Sequence, residues 1–291
     1  MTKFTQDQLE MKGVSIWGFS IPGEWLSEVE VNYLSELPQE LPAVDWVCSE
    51  LDRVWHEQKL DNRISLMSQP IGEYYGHPVW LMNGIFSMRD PVSFSHRTAI
   101  AKHLQADNLK LVADYGGGFG QLALSISEIM PDAEVYIVEP YPSKVGIERL
   151  RNEPRIKVVP NLAVEKYEAI VAQDVLEHVE DPILLASEIA RAVSIGGKII
   201  FANCFYPLIK SHLPTTFHLR CTFPYIMQSL GLRYIGKVEG AAHALVFERI
   251  GQISLFNARR AEAISQIVGP VLNLVRGLLS GLKHSLSNTV R

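Results

Sequence analysis

Leu109-Lys110-Leu111-Val112-Ala113-Asp114-Tyr115-Gly116-Gly117-Gly118-Phe119-Gly120-Gln121 runs from an apolar segment through an acid into a glycine-dense turn. A helical pattern from Leu122 to Met130 follows. Strand, tight loop and helix in this order are how α/β proteins hold a nucleotide-like ligand, because glycines let backbone N–H groups approach it closely. The glycine spacing narrows the ligand. A dinucleotide fingerprint, G-x-G-x-x-G, started at Gly116 would put its third glycine at position 121, where Gln121 stands. No Gly-Lys-Ser/Thr follows, so a phosphate loop is excluded. The pattern present is D-x-G-x-G-x-G, through Asp114, Gly116, Gly118 and Gly120.

Apolar runs at 109–113, 134–138, 155–159, 168–172 and 198–202 alternate with helical segments, notably 182–193. Such alternation predicts βαβ units and a parallel sheet with right-handed crossovers. The order changes near the end. A helix over 223–230 stops at Gly231, and runs at 232–238 and 244–249 read as a closing hairpin.

Glu139 lies about 20 residues beyond the glycines, at the end of the second strand, where an acid accepts hydrogen bonds from ribose hydroxyls. Asp114 can orient loop amides and neighbour a cationic ligand end. No Lys or Arg lies between Val112 and Met130, which favours a ligand without phosphates. Asp174-Val175-Leu176-Glu177-His178-Val179-Glu180-Asp181-Pro182 closes the fourth strand.

These stretches resemble class I methyltransferases that use S-adenosylmethionine, in the branch acting on small molecules such as quinones and sugars. The resemblance covers about residues 105–250. It implies a Rossmann-like seven-stranded α/β sheet, mostly parallel and ending in an antiparallel hairpin. It implies S-adenosylmethionine as cofactor and S-adenosylhomocysteine as product. Asp114, Gly116, Gly118, Gly120, Gln121, Glu139, Gln173 and Asp174 form the expected cofactor set. Where many relatives have an Asp reaching the adenine amino group, this chain has Asn161, whose amide oxygen can accept the same bond.

In the family the His after the fourth strand faces the reaction pocket, which makes His178 the first candidate near the acceptor. The loop after the fifth strand, Asn203 to His218, adds Tyr206, His212 and His218. Histidine's ordinary pKa suits a general base at neutral pH. His178, His212 and His218 are therefore the catalytic candidates for O-methylation. No third ligand has metal-type spacing, so no metal is expected. A sugar or glycan hydroxyl is the leading acceptor and a quinone or small aromatic the alternative. An NAD-dependent oxidoreductase and a catalytically silent interaction protein are readings from other classes.

The remainder of the chain frames this domain. The 291 residues carry a formal net charge of −5, without the basic stripe that nucleic-acid binding requires. Cys48, Cys204 and Cys221 have neither disulfide nor metal spacing. The N-terminus lacks a signal-peptide pattern, so a cytoplasmic location is expected. Residues 1–104 read as a helical, aromatic-rich cap containing Trp17, Trp25, Tyr33, Trp46, Trp55, Tyr74, Tyr75 and Trp80. Those aromatics suit a packing layer, or a lid over a substrate pocket.

The tail, 251–291, carries Ile264, Ile267, Val268, Val271, Val275, Leu278, Leu282 and Leu286 on one helical stripe. Arg259, Arg260, Arg276, Lys283 and Arg291 lie on the other face. The stripe suits packing on the domain, a homodimer, or contact with an anionic membrane. Gly269-Pro270 is expected to break or kink the helix.

Overall fold

The computed structural model describes residues 13–140 and 142–289, with side chains to 279. The N-terminal segment read for a signal peptide, and the side chains of Leu282, Lys283, Leu286 and Arg291, lie outside the described residues.

Seven strands build the central sheet: β3 (Leu111–Tyr115), β4 (Glu134–Val138), β5 (Ile156–Val159), β6 (Tyr167–Gln173), β7 (Val193–Ala202), β8 (Leu232–Val238) and β9 (Ala241–Arg249). Their order is β5-β4-β3-β6-β7-β9-β8. The first five pair parallel, and β9 pairs antiparallel with both β7 and β8. This is the Rossmann-like sheet with a closing hairpin that the alternation predicts. Buried β-branched runs such as Val112, Val135, Ile137, Val171 and Ile200 explain why the strands sit between two helical layers. Strand β7 begins earlier than the apolar run suggests. Its pairing with β6 jumps from Val193 to Lys198, so Gly196-Gly197 forms a bulge inside the strand.

The cap comprises α1 (Glu28–Ser35), α2 (Val44–Glu57), α3 (Ile71–Tyr75), α4 (Pro78–Arg89) and α5 (Pro91–Gln105). Asp90 starts α5 by accepting from the Ser93 N–H at 2.7 Å, with Pro91 behind it. Ile100, Ala101 and Leu104 of α5 pack against the sheet, so the cap is continuous with the domain core. The cap is not wholly helical, as the sequence suggests. Residues 14–21 form a hairpin of β1 (Val14–Ile16) and β2 (Phe19–Ile21). Trp17 and Gly18 both take positive φ, 48° and 77°, the paired left-handed conformation of a two-residue hairpin turn. A Trp in that position disguised the turn.

Helices α6 (Gln121–Ile129), α7 (Lys144–Leu150), α8 (Pro182–Ala192) and α9 (Leu219–Leu230) complete the layers. The tail is one helix, α10 (Leu255–Thr289), and Pro270 lies inside it without ending it. Of the three readings of its apolar stripe, packing on the domain is not what the structure shows. The buried positions are Ala258, Glu262, Ser265 and Gly269, while the apolar stripe faces outward. Small residues let α10 approach α9 closely. A Cβ on Gly269 would lie 2.4 Å from the His218 carbonyl oxygen. Ser265 Oγ meets Thr222 Oγ1 and donates to the His218 carbonyl at 3.2 Å. Gly269→Leu is therefore expected to undock α10. Hydrogen exchange across 258–279 should rise by an order of magnitude or more, while the sheet amides keep their protection.

Candidate active site

The glycine loop leaves β3 at its carboxyl end, where open α/β sheets bind ligands. Gly116, Gly118 and Gly120 have φ values of 68°, 47° and 76°, so the loop alternates through the left-handed region. Gly120 then caps α6. A Cβ on Gly116 would sit 2.6 Å from Val175 Cγ2, and one on Gly117 2.6 Å from Asp114 Oδ2. A Cβ on Gly118 would meet only the Gly116 carbonyl oxygen, at 3.9 Å, so the loop is open there. The first two glycines are thus required by close packing, and the third by conformation.

Asp114 is 3% exposed beneath this loop, and its Oδ2 has no hydrogen-bond partner among the described residues. Burial pushes its carboxyl up to about 7, with Glu139 adding a like charge and Arg97 opposing it. Glu139 therefore stands within electrostatic reach of Asp114, on the adjacent strand end. Gln121 is committed elsewhere: with its amide oxygen turned inward it accepts from Arg149 Nη1 at 2.9 Å and Nη2 at 3.1 Å. Asn161 is exposed beyond β5.

Two arginines stand beside a loop that has none in sequence. Arg97 of α5 is buried and donates to the Ser87 carbonyl at 2.8 Å. Arg149 of α7 donates to the Phe119 carbonyl and lies 4.6 Å from the Phe119 ring centroid. No local sequence signal marks them, because both arrive from other helices.

The turn after β6 forms the other wall, and Val175 presses it against Gly116. Gln173 Nε2 donates to Asp174 Oδ2 at 3.2 Å, and Asp174 takes a left-handed φ of 53°. Asp174 is reached by solvent, yet surrounding protein raises its carboxyl pKa through desolvation. Tyr75 is similar, 40% exposed with its hydroxyl pushed well up by desolvation.

His178 sits among three aromatic rings on the far side of this turn. Its ring centroid is 4.8 Å from that of His212, 6.2 Å from Trp80 and 6.4 Å from Tyr75, each edge-on. Burial, then the neighbouring His212, pushes its pKa down to about 3. His212 is buried, and its Nδ1 lies 2.9 Å from the Tyr206 carbonyl. Glu177 is fully buried, and its Oε1 accepts from the Cys204 N–H at 2.6 Å. Burial, then Asp174, pushes its carboxyl up to about 8. Contrary to the spacing argument against a metal, Glu177, His178 and His212 offer ligand atoms within 4.8 Å of one another.

His218 is not part of this group. It stands at the start of α9, with Nδ1 2.8 Å from the Thr215 carbonyl and its own carbonyl under α10. The aromatic cap divides: Trp55 and Tyr74 are core, whereas Tyr75 and Trp80 face His178. The cap is also fastened to the acceptor-side loop. Asn62 Nδ2 donates to the Lys210 carbonyl at 2.7 Å, and the Lys210 N–H donates to Asp52 at 2.6 Å.

Residues 93–231 match a family described as a methyltransferase domain. The solved structure of human N-acetylserotonin methyltransferase with S-adenosylmethionine aligns at a TM-score of 0.50 and 16% identity. That alignment covers 77% of this chain and 70% of the other, and establishes the shared fold. Phosphoethanolamine N-methyltransferase 2 of Haemonchus contortus shares 23% identity over 32% of this chain at a TM-score of 0.29, and the match spans 24% of that enzyme's length. Mitomycin 7-O-methyltransferase aligns at 14% identity over 70% of this chain and 68% of its own, with a TM-score of 0.46. No curated protein matches the chain. No helix among the described residues is long and apolar enough to cross a membrane.

Proposed function

We propose that the protein transfers the methyl group of S-adenosylmethionine to a hydroxyl of a sugar, glycan or other small molecule. The carrying observation is the enclosed pair His178–His212, walled by Tyr75 and Trp80 and joined to the glycine loop through the Val175–Gly116 contact. The glycine loop and two acids suit a cationic, phosphate-free cofactor, and the buried Oδ2 of Asp114 is an acceptor in want of a donor. Glu139, within electrostatic reach of Asp114 at the adjacent strand end, would take the ribose hydroxyls, and Arg97 is a cation acting on Asp114. When bound, the cofactor supplies an electrophilic methyl group on sulfur.

The chain's own work is positioning. The acceptor oxygen must lie in line with that methyl group, desolvated, and give up a proton. Burial holds His178 and His212 unprotonated, which weakens them as bases but leaves a ring lone pair to accept a hydrogen bond from the acceptor hydroxyl and orient it. Tyr75 and Trp80 offer flat apolar area, which suits a sugar face. It equally suits the second reading, a quinone or small aromatic acceptor.

Calorimetric titration should detect binding of S-adenosylmethionine and S-adenosylhomocysteine and none of NAD. NAD binding alone would overturn the reading. A methyl-transfer screen over glycan and phenolic acceptors decides between the two acceptors. With the preferred one, His178→Ala is expected to cut turnover by about 100-fold or more. His218→Ala, outside the pocket, should leave it within about threefold of wild type.

A further inference from the structure

We propose that Glu177, His178 and His212 bind a divalent transition-metal cation, zinc or manganese in class. One carboxylate and two imidazoles form a donor set typical of such ions. Their ligand atoms already lie within 4.8 Å of one another. Two further observations aim them inward. Glu177 is fully buried, and its Oε2 lacks a hydrogen-bond partner, as does His178 Nδ1. His212 places Nδ1 2.9 Å from the Tyr206 carbonyl, which leaves Nε2 as a lone-pair donor. Metal-ligating histidines are oriented by such a bond on the other ring nitrogen. The Cys204 N–H holds the second Glu177 oxygen in the same way, at 2.6 Å.

The ion's use rests on the methyl-transfer reading: bound here it would take the acceptor oxygen as a ligand and make it more acidic. Its binding does not rest on that reading. Protein stripped with EDTA is dialysed against zinc or manganese chloride, and bound metal is counted by mass spectrometry. S-adenosylhomocysteine binding is titrated on the same samples. One equivalent per chain is expected. Glu177→Gln, which keeps the Cys204 bond, and His212→Ala should each lose it while retaining cofactor affinity. Substoichiometric metal in folded wild-type protein, or full loading of both variants, overturns the site. Loss of cofactor binding with metal retained would instead overturn the methyl-transfer reading.

Discussion

Gly116→Ala is expected to weaken S-adenosylmethionine binding about 100-fold, a loss of about 3 kcal/mol. Two costs add. At φ 68° an alanine is held in the left-handed region, at a cost of about 1–2 kcal/mol. Its Cβ would also fall 2.6 Å from Val175 Cγ2. Valine is stiff at χ1 and cannot swing that methyl away cheaply. The turn from Asp174 to His178 must then retreat from the loop, which opens the cofactor wall and displaces His178 together. Gly196→Ala is the matched control. It has a comparable φ of 84° with no atom within 4 Å of its Cβ, and it lies in the β7 bulge at the far end of the sheet. It should lose a similar increment of stability and no affinity. Calorimetric titration of both variants checks this. Equal affinities for Gly116→Ala and wild type would mean that the loop does not face the cofactor.

The contrast between these glycines shows what the sequence carried. The sheet was legible because buried parallel strands are continuous apolar runs, and β4 matched its run residue for residue. The loop was legible because left-handed backbone selects glycine. The hairpin at 14–21 was hidden because Trp17 occupies a left-handed position by tertiary packing, with its ring buried and its Nε1 donating to the Pro38 carbonyl at 3.0 Å. In the tail the apolar stripe is plain in the sequence, but the face that packs on the domain is not. Close helix approach selects Ala258, Ser265 and Gly269, residues that no hydrophobic pattern marks. The acceptor pocket was half legible. His178 follows from its local motif, whereas Tyr75 and Trp80 come to it from the cap, about 100 residues away along the chain. His212 and His218 looked equivalent on one loop. The 3-10 turn Pro214–Thr216 sends them to opposite sides, one into the pocket and one under α10.

Asp114→Asn is expected to stabilise the cofactor-free protein at neutral pH while weakening cofactor binding. The folded chain holds this carboxyl near pKa 7 because it is buried, whereas in the unfolded chain it titrates at its ordinary value of 3.8. Between those values the folded state binds a proton that the unfolded state has released. Stability from this group therefore falls as pH rises, by about 1.4 kcal/mol per pH unit, and levels off above 7. His178, with its pKa lowered, acts in the opposite sense below its ordinary value of 6.5, and Glu177, Asp174 and His212 are shifted too, so the raw profile mixes several groups. The difference between variant and wild type isolates Asp114. It should be near zero at pH 4 and grow to about 2–4 kcal/mol by pH 7 in urea titrations. A flat difference would mean that the carboxyl is solvated or paired. Cofactor affinity should move the other way. The ionised carboxylate offers a charge-assisted bond to the cofactor's cationic end, worth about 1.5–3 kcal/mol, or about 10–100-fold in affinity. A group that destabilises the empty fold and is neutralised by its ligand is the expected mark of a binding residue, since a structural one would have been selected for the opposite sign.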